Sequence, residues 1–146
     1  MASSGALDVD QQDRRGLRVL TLEECVARLA RTPLGRLAFV SAGESVILPV
    51  NHAVDGSCVV FRTTEGSKMD VAVENGNVAY EIDGYDAGAE TGWSVVVKGT
   101  AELVYDDADT SRFEALGLRS WIDPARRGQW VRIRPEEISG RELFAR

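Results

Sequence analysis

The densest run of side chains able to do chemistry is Phe61-Arg62-Thr63-Thr64-Glu65-Gly66-Ser67-Lys68. The β-branched run Cys58-Val59-Val60 leads into it, so a strand ends in Arg62 and Thr63, and Ser67 then has the character of a helix N-cap. A strand end, a glycine-containing turn and a helix start, in that order, can hold a phosphate. The first N–H groups of a helix lack partners and carry partial positive charge. Arg62 adds a two-pronged guanidinium, Lys68 a point charge, and Thr63 and Ser67 hydroxyl donors. Gly66 lets the backbone come close to a ligand. The same residues have a plainer use: Arg62 as a solvated strand end, Ser67 as a cap alone, Lys68 as an exposed first-turn residue. Glu65 repels a phosphate if it faces inward, and Lys68 opposes the helix dipole unless an anion offsets it.

Other chemistry is thinly supplied. His52 is the only histidine. Beside Asn51 on a strand it faces the opposite side, which favours packing over a general-base role. One histidine and two distant cysteines, Cys25 and Cys58, leave no ligand cluster for zinc or iron. Without an export signal those cysteines read as thiols rather than a disulfide. A net charge of −6 argues against nucleic-acid binding, which needs clustered cations, while leaving room for one local anion site. No apolar run approaches the roughly 18 residues of a membrane span. The opening MASSGALDVDQQDRRG lacks the apolar centre of a secretion signal. It reads as a flexible tail over 1–16, before one domain over 17–146 in a cytoplasmic protein.

The elements that must position these residues follow from period and punctuation. Thr21-Leu22-Glu23-Glu24 has the capping-box form, and Leu22, Val26 and Leu29 draw an apolar stripe along a helix of about 21–32, with Cys25 beside it. Pro33 and Gly35 end it. Strands are expected over 37–40, 46–50, 58–63, 78–82, 93–104 and 129–134. Turns fall at Ala42-Gly43-Glu44 and Asp55-Gly56, a loop over 83–92, and a bulge at Gly99. Short helices are expected over about 67–75 and 107–117. The fold class is α+β, mainly β: six antiparallel strands in a closed or nearly closed barrel, with a leading helix and two short ones. Periodicity alone does not separate a barrel from a sandwich.

Taken in order, Pro49-Val50-Asn51, Phe61-Arg62-Thr63 with Gly66-Ser67-Lys68, and Thr91-Gly92-Trp93-Ser94-Val95 resemble the flavin-binding region of the pyridoxamine 5′-phosphate oxidase-like family. The resemblance spans about 20–140 and is closest to the small actinobacterial-type branch. Each motif alone is weak; the three in sequence are specific. The resemblance implies a six-stranded split β-barrel that forms a homodimer with FMN at each end of the subunit interface. On that basis Arg62, Thr63, Ser67 and Lys68 hold the phosphate and ribityl chain. Pro49, Val50 and Asn51 lie along the isoalloxazine ring, and Trp93 and Ser94 come from the partner subunit or line the ring's edge.

Each assignment has a plainer counterpart. Asn51 can pair with backbone at a strand end, and Trp93 can be a core or interface aromatic. Trp130 is expected to pack and Arg132 to face solvent. True pyridoxamine-phosphate oxidases carry a late Arg-x-His substrate motif, yet no histidine follows His52. The resemblance therefore implies an FMN-dependent oxidoreductase of unassigned substrate rather than that oxidase. No catalytic side chain is assigned, because the flavin carries the electrons. Two alternatives keep the fold: a deazaflavin (coenzyme F-420) reductase, and a non-catalytic flavin- or heme-binding protein.

Overall fold

From Leu34 onward residues alternate between inside and outside, and the computed structural model, which describes residues 11–63, 76–118 and 128–144, gathers them into one antiparallel sheet. In chain order the elements are β1 (Arg18–Val19), α1 (Leu22–Arg31), β2 (Leu34–Ser41), β3 (Glu44–Asn51), β4 (Ala53–Asp55), β5 (Cys58–Arg62), β6 (Asn77–Asp86), β7 (Thr91–Val104), α2 (Asp107–Glu114) and β8 (Trp130–Leu143). The strands pair in the order β3-β2-β6-β7-β8-β5-β4, with β1 on β8. The two ends of that path, β3 and β4, are consecutive in sequence and separated by one residue, His52. The sheet therefore curls until its edges meet, giving a split barrel of the α+β, mainly β class.

Inward-facing residues of five strands make the core: Leu37 and Phe39, Val59 and Phe61, Val78, Tyr80 and Ile82, Val95, Val97 and Ala101, Val131 and Ile133. Helix α1 lays Cys25 and Leu29 on it. A second cluster lies on the outer face, where Phe113 of α2 meets Val60, Val104 and Trp130.

The structure corrects several expectations. The described residues hold eight strands rather than six, because β1 and β4 span two and three residues, too few to show a period. The last strand runs on to Leu143 rather than ending at Arg134, because a bulge at Pro135–Glu137 lets the pairing continue. Lys98 pairs with Glu137 and Gly99 with Pro135, so the extra residue is Glu136 of β8, opposite the expected Gly99. The loop expected over 83–92 shrinks to 87–90, because β6 and β7 pair as far as Asp86 and Thr91. Leu22, meant for the buried stripe of α1, is 61% exposed; the buried stripe is Cys25 and Leu29, one turn apart. The turn at Ala42-Gly43 lies where expected, and the one expected at Asp55-Gly56 falls one residue later, at Gly56-Ser57; the pairs Ser41–Glu44 and Asp55–Cys58 close them. Both cysteines are free thiols. The helix expected over 67–75 lies outside the described residues. Among those described, no helix is long and apolar enough to cross a membrane.

Gly99 is fixed by the bulge: a Cβ there would overlap the Arg134 carbonyl, which cannot move without breaking the β7–β8 ladder. Gly99→Ala is expected to cost about 1–3 kcal/mol, seen as a lower urea midpoint at unchanged slope. A midpoint equal to wild type would show that β8 carries the bulge without the glycine.

Candidate functional site

Alternation along β5 sends Val59 and Phe61 inward and Arg62 outward, opposite Trp130 of β8. The Arg62 guanidinium lies 5.0 Å over the Trp130 ring, a cation–π contact, and its Nη1 is 3.4 Å from Glu114 of α2. Glu114 is 59% exposed, so this ion pair is weak. Two donors remain: Arg62 Nε and Trp130 Nε1 are buried and have no hydrogen-bond partner among the described residues. Burying unpaired donors is costly, which makes this strand end receptive to an acceptor. Thr63 is buried beside it, its N–H donating to the Gln129 carbonyl at 3.0 Å. Ser67 and Lys68 lie outside the described residues.

Trp130 packs, as expected, 5.4 Å from the Phe113 ring. Arg132 does not face solvent. Its register opposite Glu102, beneath Asp109 of α2, sets it 2.7 Å and 3.5 Å from those carboxylates with its side chain 14% exposed.

The end of β3 lies nearby. Pro49, Val50 and Asn51 pair with Arg36, Gly35 and Leu34. The Val50 side chain packs on the core, while Asn51 Nδ2 reaches the Pro33 carbonyl at 3.4 Å and its Oδ1 is buried without a partner among the described residues. Two residues on, Ala53 pairs with Val60, itself two residues before Arg62. Pro49–Asn51 and Arg62–Thr63 thus flank the same seam. Trp93 and Ser94 do not join them. Val104 pairs with Trp130, the partner of Arg62, and Trp93 precedes Val104 by eleven residues (93 to 104), about 37 Å along the strand. There Trp93 packs under Arg28, 4.7 Å from its guanidinium, in space left by Gly84.

His52 occupies the seam, its side chain inside the barrel as the alternation requires. Nε2 faces the Leu29 carbonyl at 2.9 Å, Nδ1 meets the Tyr80 hydroxyl, and that hydroxyl donates to the Val50 carbonyl at 2.9 Å. Burial holds the His52 pKa below its ordinary value, only partly opposed by the bond to Leu29, and raises that of Tyr80. Sequence reasoning placed His52 inward and missed Tyr80; only the shared inward phase of two distant strands could have indicated it.

A charged cluster that the sequence did not reveal lies on the outer face between β3 and β7. Register aligns Pro49, Arg36, Glu81 and Val96 in one row and sets Asp83 beside Ser94. Arg36 Nη1 bridges Glu81 at 3.2 Å and Asp83 at 3.0 Å. Burial, then the hydrogen bond and charge of Asp83, push Glu81 up to about 7 against the pull of Arg36. Beside this cluster runs a mostly apolar groove of about 640 Å³, lined by Ala38, Val40, Ser45, Ala79, Lys98 and Gly99.

Comparison with known proteins places this geometry. Residues 21–142 match the family model described as pyridoxamine 5′-phosphate oxidase. The uncharacterized protein Rv0080 of Mycobacterium tuberculosis is 36% identical over 98% of this chain and 96% of its own length. Among solved structures, an FAD-binding protein from Mycobacterium smegmatis is 38% identical, with a TM-score of 0.75 over 86% of this chain and 98% of that one. An FAD-binding protein from Mesorhizobium loti is 26% identical, with a TM-score of 0.74 over 86% and 96%.

The raised pKa of Glu81 carries a sign. Between 4.5 and about 7 the folded protein holds a proton that the unfolded chain has released, so this contribution to stability is complete below 4.5 and lost as pH rises through about 7. Glu81→Gln removes it. The urea midpoint of the variant relative to wild type is therefore expected to rise between pH of about 4.5 and about 8. A relative midpoint that is flat or falling over that range would show that Glu81 titrates normally.

Proposed function

We propose, on the premise that this chain belongs to the pyridoxamine 5′-phosphate oxidase family, that it is a flavin-dependent oxidoreductase holding FMN between two copies of itself. The observation that carries this reading is the pair of buried donors on Arg62 and Trp130, without a partner among the described residues and next to the backbone end of β3. A phosphorylated flavin needs an anion site at one end and a flat slot at the other. Arg62 with Thr63, joined by Ser67 and Lys68, would hold the phosphate and ribityl chain. Pro49, Val50 and Asn51 would border the ring. When bound, the flavin supplies hydride or electron transfer; this chain's residues bind it, orient it and exclude water. The FAD-binding relatives support a flavin as the ligand, and FAD and FMN share the ring, the ribityl chain and the first phosphate.

The distance of Trp93 and Ser94 from Arg62 supports the second copy: if all belong to one site, a partner brings the first two. The outer face of β2 and β3 suits that contact. Val40 and Ile47 are more than half exposed there, and Arg36, Glu81, Asp83 and Lys98 set both signs of charge in one patch, as a two-fold interface requires. Substrate chemistry differs from that of the family's namesake, because no histidine follows His52 to complete a late Arg-x-His motif.

Native mass spectrometry after incubation with FMN, FAD and deazaflavin F-420 in turn tests cofactor and copy number together. The expected result is a dimer carrying two FMN. A monomer, or a dimer that takes up none of the three, would overturn the proposal; uptake of FAD or the deazaflavin alone would change the ligand. Arg62→Ala with Lys68→Ala is expected to weaken FMN by several kcal/mol, two charge-assisted contacts at roughly 1.5–3 kcal/mol each. Unchanged affinity in a titration of flavin fluorescence would remove the phosphate site from this corner.

A further inference from the structure

Where the barrel closes, the backbone of Asn51 is turned away from the β2 ladder, and two buried side chains lie behind it. The His52 N–H donates to the Pro33 carbonyl at 3.0 Å. Because hydrogen-bonded and non-bonded pairs alternate in an antiparallel ladder, Gly35–Val50 is then a bonded pair and Leu34–Asn51 a non-bonded one. The N–H and C=O of Asn51 consequently point away from β2. β3 ends the sheet path, so they face its open edge.

The Val50 carbonyl, in the same peptide unit as the Asn51 N–H, is gripped from inside. The Tyr80 hydroxyl bonds it at 2.9 Å, beside the Gly35 N–H that the ladder pairs with it. Tyr80 reaches this position only because residue 35 is glycine: a Cβ there would overlap the phenol ring. His52 meets the hydroxyl from the other side. Its Nε2 faces a carbonyl and must carry a proton, so Nδ1 of the neutral ring is an acceptor. The single Tyr80 proton thus has two acceptors in reach, Nδ1 and the Val50 oxygen. Both rings are buried, so water cannot take the place of either partner.

We propose that His52 and Tyr80 are positioning residues for the flavin ring. They touch no ligand and act by fixing the Val50–Asn51 peptide, whose free N–H then meets the ring edge at one set angle. The inference rests on the reading that β3 borders the ring. A peptide is planar, so turning the Val50 carbonyl turns the Asn51 N–H with it.

Tyr80→Phe tests this, since it keeps the ring in the Gly35 slot and removes only the hydroxyl. FMN titration and the visible spectrum of the saturated complex are compared among wild type, Tyr80→Phe and Arg62→Ala. Tyr80→Phe is expected to bind about tenfold more weakly, the effect of one hydrogen bond, and to shift the flavin bands at saturation. Arg62→Ala, acting on the phosphate, should lower affinity and leave the bands in place. A Tyr80→Phe protein with wild-type affinity and spectrum overturns the inference alone. Wild-type protein that binds no FMN overturns the reading of the site and the inference with it. If Tyr80→Phe does not fold, amide exchange of wild-type Asn51 decides: slowing on FMN saturation is expected, and unchanged exchange overturns the proposal.

Discussion

One covalent constraint governs this fold: the two edge strands of the sheet are joined through a single residue. With only His52 between Asn51 and Ala53, β3 and β4 cannot separate, and a sheet whose ends are tied must curl. The residue at the join is held by its backbone to Pro33 and by its ring to Leu29 and Tyr80. An imidazole buried this deeply is costly unless bonded, and here both nitrogens have partners. Three elements (α1, β3 and β6) therefore meet at one side chain. Removing it would leave the Leu29 carbonyl and the Tyr80 hydroxyl short of a partner in a region water does not reach.

The charged residues divide between holding the frame and staying available. At the α1 end, Arg18 bonds Glu24 and Glu142, and Arg28 bonds Glu142 at 2.6 Å, which ties β1 and α1 to β8. Glu24 also closes the capping box with Thr21, and hydrogen bonds from Arg18 first, then the Thr21 backbone, hold its carboxyl at about 2. These side chains are fully committed. Arg62, at the far end of the β7–β8 ribbon, is not: it leans on an aromatic face and one exposed carboxylate, with a buried N–H to spare. An arginine recruited for structure alone is seldom left with a buried donor unmet.

How much was legible in the sequence depends on the range of the forces involved. The capping box at Thr21 and Glu24, the turns at Ala42-Gly43 and Gly56-Ser57, and the long run of β7 are local, set by residues a few positions apart, and all three were readable. Leu22 misled because apolar spacing fixes a stripe but not which way the helix is rotated, and Cys25 sits opposite Gly140, where only a small neighbour lets the thiol approach. Arg132 misled because its partners, Glu102 and Asp109, come from other elements. The same holds for Glu81, Asp83 and Arg36: their meeting is a fact of register, which depends on the whole barrel closing. Of the positions that the family resemblance links to a flavin, the motifs at Pro49–Asn51 and Arg62–Thr63 were readable as types. Their convergence on the His52 seam was not.

That convergence divides the proposed site into two tasks. Under the proposed reading, the β5 corner supplies charge for a phosphate, a task any flexible cationic segment can do. The ring demands more, because a flat heterocycle is oriented by a backbone edge whose angle is fixed. On that reading the angle would be set from inside the barrel, by Tyr80 and His52, both of them buried. Outer-face residues such as Arg36 and Glu81 are free of that duty. The seam, the core and the Arg62 corner stand in a chain in which no histidine follows His52, so none of them depends on a late histidine.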